Sequence, residues 1–489
     1  MSRPRSYIWL AVIPLLLFAA WLSARSLNID ALWIDEIYSI YESGGAYFGP
    51  LSPLDIAFRV SASSTWPPIY NFTLAGWGAV AGWSPLAGRA LSWLLGLLSI
   101  AIIYRLAREM LPQKPWFAFF AAVFMSGSAF YLYYLHELRG YTLHILIGCS
   151  TATLYWRALR KPGRHLTYGL ALTLVLLLYS HPFGQIWFAV QAGFHLLFQR
   201  RHPGWKRLIL PFVIAGSIYL PWVLVILKYV SLELSAPRGL SVEMILTAAS
   251  AAFTNWLLLI VAILSTLALR RWRKKPIQYL WWWLLGGTAI TLIINHFVPF
   301  LFHIRLMMAI LPPLLLLPAA GLLELKRWRW LQVTVCILWL VMGIYLSNNA
   351  EFAQNLPGTI PSISRPGFEA AIEVINERAT ADDAILFRLE DASIEDWLSA
   401  PLHYYFFGTP LHISLLSTVD EENDASFEQR LSNFVGNAPW VWVAAVPDKA
   451  AGEQITALAE LLNSRYIRCE IPVDMPDMRL EMYAQHQCP

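Results

Sequence analysis

The sequence predicts a polytopic α-helical membrane protein that carries a C-terminal soluble α/β domain. Three observations predict it. The 489-residue chain is 57% hydrophobic and 14% charged, with 23 Trp, whereas ordinary globular domains carry roughly 25% charged residues. Its mean hydropathy of +0.49 leaves more apolar surface than one soluble core can hide. Its net charge of +4 averages two unlike regions. Residues 1–347 hold 28 Lys and Arg against 10 Asp and Glu, a net of +18; residues 348–489 hold 8 against 22, a net of −14. A basic, apolar region followed by an acidic one of ordinary polarity puts the domain boundary at 347/348. The composition argues against a disordered or collagen-like chain, and nothing resembles a nucleic-acid-binding domain.

A helix needs roughly 20 apolar residues to cross a bilayer. Runs of that kind fall near 7–27, 86–108, 115–135, 140–158, 166–181, 183–199, 207–228, 251–269, 277–298, 304–323 and 329–347. The first follows Arg3 and Arg5 and resembles a signal peptide, but its long apolar core and lack of a small-x-small cleavage pattern favour a retained anchor. The segment from Trp66-Pro67-Pro68-Ile69-Tyr70 to Gly82 is a poor spanning helix, with its Pro pair, Asn71, Gly76 and Gly78.

Charge decides how that segment lies. If it lies flat on the outer face, the clusters Arg3/Arg5, Arg105/Arg108/Lys114, Arg157/Arg160/Lys161/Arg164, Arg200/Arg201/Lys206/Arg207, Arg270–Lys275 and Lys326/Arg327/Arg329 share one side. That puts 21 of the 28 basic residues inside. If it spans, every later loop inverts and the bias is lost. The sequence therefore predicts about eleven spans, a cytoplasmic N-terminus, and a first outer loop over 28–85 with interfacial helices.

The acidic tail reads as alternating elements: helices over 368–378, 426–434 and 454–462, and strands over 384–387, 440–446 and 479–483. Alternation favours a small parallel or mixed sheet. The tail carries no Gly-rich phosphate loop and is expected outside the membrane. Cys469 and Cys488 lie in it and could pair in an oxidising compartment, whereas Cys149 and Cys336 sit in apolar runs as packing residues.

The same topology puts eight of the ten membrane-region carboxylates outside: Asp30, Asp35, Glu36, Glu42, Asp55, Glu137, Glu233 and Glu243. His136, Arg139, His181, His296, His303 and Arg305 also fall at outer helix ends. Each alone reads equally well as a solvated rim charge. Ionisable groups gathered from several loops onto one rim are better explained by a site. His144 and His195, inside apolar runs, read as satisfied interior groups, and Trp281-Trp282-Trp283 as belt and packing residues.

Several segments then resemble the GT-C glycosyltransferases, in the branch of protein O-mannosyltransferases and lipid A aminoarabinose transferases. Trp33-Ile34-Asp35-Glu36-Ile37-Tyr38 resembles the Asp-Glu signature after the first span. Trp66-Pro67-Pro68-Ile69-Tyr70 resembles the His-Pro-Pro-Leu-Tyr opening of a flat helix. His136-Glu137-Leu138-Arg139-Gly140-Tyr141 resembles a Gln-Glu-x-Arg-x-Tyr stretch. Ser180-His181-Pro182-Phe183-Gly184 resembles a His at an outer helix end, and Arg305 with Leu311-Pro312-Pro313 resembles the Arg-Tyr…Leu-Pro-Pro run. The matches follow the family's order over roughly residues 1–325. Trp66 replaces the family's His, His136 its Gln and Leu306 its Tyr.

The resemblance implies a GT-C fold and inverting transfer of a sugar from a polyprenyl-phosphate donor to a lipid, glycan or protein acceptor outside the cell's inner membrane. It favours Asp35 as the base that takes the acceptor's proton, with Glu36 orienting it or an Arg. Arg139 and Arg305 would meet the donor phosphate through their planar forks, with His181 as a third donor. Glu137, Tyr141 and His303 would support them. Trp66, Pro67, Pro68 and Tyr70 would line the donor's lipid groove. No cofactor is required: Glu36 or Glu137 with His181 could hold a divalent metal, but no ligand spacing supports it. The competing reading is a transporter or lipid flippase with a charged outer vestibule; it predicts internal repeats and mid-membrane charges, and neither is present.

Overall fold

The structure, a computed structural model, describes residues 7–27, 32, 34–63, 66–161, 163–233, 249, 253, 255–297, 307–348, 366–388, 412–416, 431–445, 462–469 and 479–488. The chain divides into two compact units. The first comprises residues 1–27 and 51–359; the second comprises 28–50 and 360–489. Residues 28–50, which the sequence groups with the first outer loop, thus fall in the unit of the acidic tail.

The first unit is helical. Its helices are α1 (Val12–Ala24), α3 (Pro53–Ser63), α4 (Ile69–Ala81), α5 (Pro85–Met110), α6 (Pro115–Ser126), α7 (Ala129–Tyr133), α8 (Tyr141–Arg160), α9 (Arg164–Ser180), α10 (Gly184–Phe198), α11 (Trp205–Glu233), α12 (Asn255–Ala268), α13 (Lys275–Phe297), α14 (Met307–Leu322) and α15 (Arg329–Ser347). Among the described residues, five helices are long and apolar enough to cross a membrane: α5, α11, α13, α14 and α15. The architecture is that of a polytopic helical protein with a small C-terminal sheet.

Helix α5 organises the packing. Ser84 caps it by accepting from the Ala87 amide, and Pro85 supplies a first-turn residue that needs no donor. At 26 residues it is about 39 Å long, more than the ~30 Å apolar slab. Gly88, Ser92, Gly96 and Ser99 recur along it at three- and four-residue intervals and are all buried or nearly so. A Cβ on Gly88 would overlap Leu138, and one on Gly96 would overlap Leu135. These small residues therefore seat the turn that follows α7 directly against the α5 backbone, as small-residue helix contacts do in membranes. At the other end of α5, Glu109 is held by Arg105 at 2.6 Å and by Arg160 of α8.

One segment differs from the sequence expectation. The apolar run 115–135 is not one helix: α6 ends at Gly127, and Ser128 starts α7 by accepting from the Tyr131 amide. The break is packed, since a Cβ on Gly343 of α15 would strike the Gly127 carbonyl. The segment after Trp66 does form a helix, α4, but it spans only 13 residues, about 20 Å, and ends at Gly82 with φ +84°. Trp77 anchors α4 to α5 through an Nε1–H bond of 2.7 Å to the Ala87 carbonyl. Trp282 and Trp283 donate to Val190 and Ala309, so both are interhelical packing residues.

The second unit contains α2 (Ile34–Glu42), α16 (Pro366–Arg378) and a five-stranded sheet of order β2-β1-β3-β5-β4. The strands are β1 (Ala384–Arg388), β2 (His412–Leu416), β3 (Trp440–Ala445), β4 (Ile467–Cys469) and β5 (Arg479–Ala484). β2, β1 and β3 run parallel, and β5 is antiparallel to both β3 and β4, giving a mixed sheet. Both faces are covered. Ile385, Phe387, Trp442 and Met482 pack with Ala371, Ile372 and Ile375 of α16, while Leu386, Val441, Val443 and Tyr483 pack with Leu431, Val435, Leu462 and Tyr466. Cys469 and Cys488 form a disulfide. Most of the expected helix 454–462 lies outside the described residues.

Candidate functional site

The turn from Tyr134 to Gly140 leaves α7 and enters α8, and it carries Glu137 and Arg139, both buried. Its backbone is held from α5: Ser92 Oγ donates to the Arg139 carbonyl at 3.3 Å and lies 3.3 Å from the Tyr70 hydroxyl of α4. Gly140 packs so closely that a Cβ would come within 3.1 Å of Tyr70 Cβ. Three helices thus fix where the Arg139 side chain begins.

That side chain ends over an aromatic face. The Arg139 guanidinium carbon lies 4.2 Å from the Trp66 ring centroid. Trp66 in turn meets the His181 ring edge-to-face at 4.3 Å and Tyr141 at 5.9 Å, and Tyr141 lies 5.4 Å from His181. Arg139, Tyr141 and His181 are at most 9% exposed, and Trp66 is half-buried. A cation over an indole face in a poorly hydrated setting is attracted by the ring quadrupole, which fixes where the guanidinium lies.

His181 is set by its local sequence. It caps α9 in an extended conformation, φ −167° and ψ 151°, as the following Pro182 favours. The Phe183 amide donates to His181 Nδ1 at 3.1 Å. In the neutral ring the proton therefore sits on Nε2, making it a donor. Gly184 opens α10 at this point because a Cβ would collide with the Leu177 carbonyl.

His136, beside Tyr133 in the same turn region, is neutral at physiological pH: burial first, then the Arg89 guanidinium, push its pKa down to about 3. It contributes no positive charge.

Asp35 and Glu36 lie in the second unit, in the first turn of α2, where carboxylates complement the helix dipole. Glu36 is fully buried and Asp35 partly so. Ser39 donates to the Asp35 carbonyl at 3.0 Å. The far end of α2 closes in a Schellman turn: Gly44 has φ +67°, its amide bonds Tyr41 at 3.1 Å, and the Gly45 amide bonds Ile40 at 2.9 Å.

The structure thus brings together Trp66, Arg139, Tyr141 and His181, with Tyr70 tied to them through Ser92. Pro67 and Pro68 are buried just ahead of α4. His303 and Arg305 lie outside the described residues. Among the described residues no group of three or more His, Cys, Asp or Glu could hold a metal ion.

The sequence reading missed Ser92 and Ser180, and it read His144 as a satisfied interior group. His195 is satisfied, with Nδ1 3.1 Å from the Tyr155 hydroxyl and Nε2 2.9 Å from the Trp205 carbonyl. His144 is satisfied only at Nδ1, 3.0 Å from Ser180 Oγ; its Nε2 has no hydrogen-bond partner although the residue is fully buried. The sequence signal was present, a His on α8 in register with a Ser at the end of α9, but only the packing of the two helices gives it meaning.

No protein-family model and no curated protein matches the chain. Solved structures do. The chain shares the fold of ArnT from Cupriavidus metallidurans bound to undecaprenyl phosphate, with a TM-score of 0.65 at 15% identity, over 97% of this chain and 98% of that one. The apo state of the same enzyme matches with a TM-score of 0.64, at 15% identity and 98% coverage of each chain. The chain thus has an ArnT-like fold, the architecture that the motif resemblance implies.

Proposed function

We propose that this protein is a GT-C glycosyltransferase that moves a sugar, hexosyl or pentosyl, from a polyprenyl-phosphate donor to a lipid, glycan or protein acceptor at the outer face of the inner membrane. The observation that carries the reading is the Arg139–Trp66–His181 cluster: a buried guanidinium braced on an indole beside an imidazole whose Nε2 donates. These are the groups a lipid phosphate needs when its bond to the sugar breaks. The fold supports the same reading, because a neighbour of this architecture was crystallised with undecaprenyl phosphate.

In this reading Asp35 accepts the proton of the acceptor hydroxyl as the oxygen attacks the anomeric carbon, and Glu36 orients it. The bond from that carbon to the donor phosphate breaks on the opposite face, inverting the configuration. Negative charge grows on the departing lipid phosphate, and Arg139, Arg305 and His181 stabilise it there. Tyr141, Glu137 and His303 hold these groups. Trp66, Pro67, Pro68, Tyr70 and α4 border the groove for the lipid. The N-terminus is cytoplasmic, the α/β unit extracytoplasmic, and catalysis needs no metal.

The test is transfer in vitro. Purified protein given a polyprenyl-phosphate donor with radiolabelled sugar, plus an extract of envelope lipids and glycans, should label an acceptor and release polyprenyl phosphate in equal amount. Donor that moves across a vesicle membrane without release of polyprenyl phosphate would instead establish a flippase.

A further inference from the structure

Helix α8 carries a fully buried histidine one layer beneath the site. His144 shares no hydrogen bond with any site residue, yet its ring lies 5.3 Å from that of His181 and 4.9 Å from that of Trp187. Its polar contact is with Ser180, the residue immediately before His181 and the last of α9.

The direction of this contact can be assigned. Ser180 Oγ donates its single proton to the Leu177 carbonyl at 2.8 Å. It can then only accept from His144. His144 Nδ1 therefore carries the proton, and His144 Nε2 bears a lone pair in a fully buried position with no hydrogen-bond partner. An aliphatic residue would fill this space without leaving a buried acceptor exposed to no donor, so packing alone does not explain a histidine here.

The surroundings leave the ring little freedom. Gly148, one turn further along α8, admits the Trp187 ring where a Cβ would overlap it, and Trp187 presses on His144 from α10. The far side of the same turn is held by the Phe183 amide on His181 Nδ1 and by the Gly184 amide on the His181 carbonyl at 2.8 Å. His181 is thus clamped by two backbone amides that follow it, one on its ring and one on its carbonyl, and by the Ser180–His144 contact that precedes it.

We infer that His144 and Ser180 form a positioning pair for His181. The relay from His144 Nδ1 through Ser180 Oγ to the Leu177 carbonyl ties α8 to the end of α9, and it holds the His181 ring edge-to-face against Trp66 with the proton on Nε2. The inference deepens the proposed function, because it assigns to the pair the orientation of a phosphate donor. Neither residue touches the reacting atoms.

Two side chains divide the imidazole's roles: Asn reproduces a donor near Nδ1, and Leu keeps much of the volume with neither nitrogen. The first arm needs no activity. In protein labelled with 15N-histidine, the His181 resonances of wild type should show a protonated Nε2 and an unprotonated Nδ1. S180A and H144L should shift His181 toward a tautomer mixture, while H144N should retain the wild-type signature. The second arm measures transfer: kcat should fall roughly 10-fold in S180A and H144L, with KM for the donor changed less than about threefold, and H144N should recover most of it. All variants are first compared with wild type by gel filtration and thermal unfolding, and the near-isosteric S180C, a much weaker hydrogen-bonding group, serves as the alternative if S180A misfolds. An unchanged His181 spectrum in folded S180A and H144L would overturn the positioning role whatever the activity. A shifted spectrum in a protein that transfers no sugar would uphold the pair and defeat the transferase reading instead.

Discussion

The contact of Arg139 with Trp66 is the part of the site most open to quantitative attack. Removing the indole face by Trp66→Ala takes away the attraction between ring and guanidinium. Arg139 is 9% exposed, so the contact belongs to the desolvated end of the range, about 1–2 kcal/mol. If that energy holds the guanidinium where the donor phosphate binds, affinity should weaken by roughly 5- to 30-fold. Trp66→Phe keeps a weaker quadrupole and should lose a few-fold at most. Arg139→Ala removes the charge-assisted bonds themselves, about 1.5–3 kcal/mol, and should weaken binding by roughly 10- to 150-fold. The assay is equilibrium binding of undecaprenyl phosphate to purified protein in detergent, with thermal unfolding as the control for folding. The double variant should lose less than the sum of the two single losses, because part of the indole's effect runs through the guanidinium. A folded Trp66→Ala protein that binds within twofold of wild type, or losses that add in the double variant, would refute the reasoning.

Other expected outcomes address the frame around the site. Cysteines placed at Ala62 and Ala81, exposed positions before and within the end of α4, should both react with an impermeant thiol reagent from outside; labelling from opposite sides would show that α4 spans. Protease added to intact spheroplasts should reach the C-terminal unit, and protection until lysis would invert the topology. Reduction of the Cys469–Cys488 bond, whose partners are 19 residues apart, should destabilise that unit by about 3 kcal/mol, seen as a lowered unfolding temperature that Cys488→Ser reproduces. Gly148→Ala should cost about 1–3 kcal/mol by driving a methyl into the Trp187 ring, measured by thermal unfolding.

The sequence carried the apolar runs plainly because a bilayer imposes length and hydropathy on every span. It did not show the break between α6 and α7, since Gly127 and Ser128 are unremarkable until α15 is seen to cross there at Gly343. Strand β2 was missed because His412–Leu416 is short and is defined by its parallel pairing with β1, a contact between residues 28 positions apart. Helices α2 and α3 fall in the outer loop over 28–85, where the sequence implies interfacial helices but does not bound them.

For the site, Trp66, Arg139, Tyr141 and His181 were legible through the order of their motifs. Their mutual geometry was not: nothing in the spacing of Trp66 and Arg139 says that one ring lies beneath one guanidinium. Ser92, Ser180 and His144 were illegible for the same reason, because each acts by hydrogen bonding across a helix interface. Where the resembled motif carries a His, this chain carries Trp66, and its ring lies against the Arg139 guanidinium.

The proposed transfer depends on a base that takes the acceptor's proton, and Asp35 is the residue proposed for it. Asp35→Asn preserves shape and much of the polarity but removes the proton acceptor. In single-turnover transfer from a radiolabelled polyprenyl-phosphate sugar, wild type should convert bound donor, and folded Asp35→Asn protein should be slower by roughly 10²-fold or more. Its affinity for undecaprenyl phosphate should stay within a few-fold of wild type, since Arg139 and His181 are untouched. Transfer by folded Asp35→Asn protein at the wild-type rate would contradict the account.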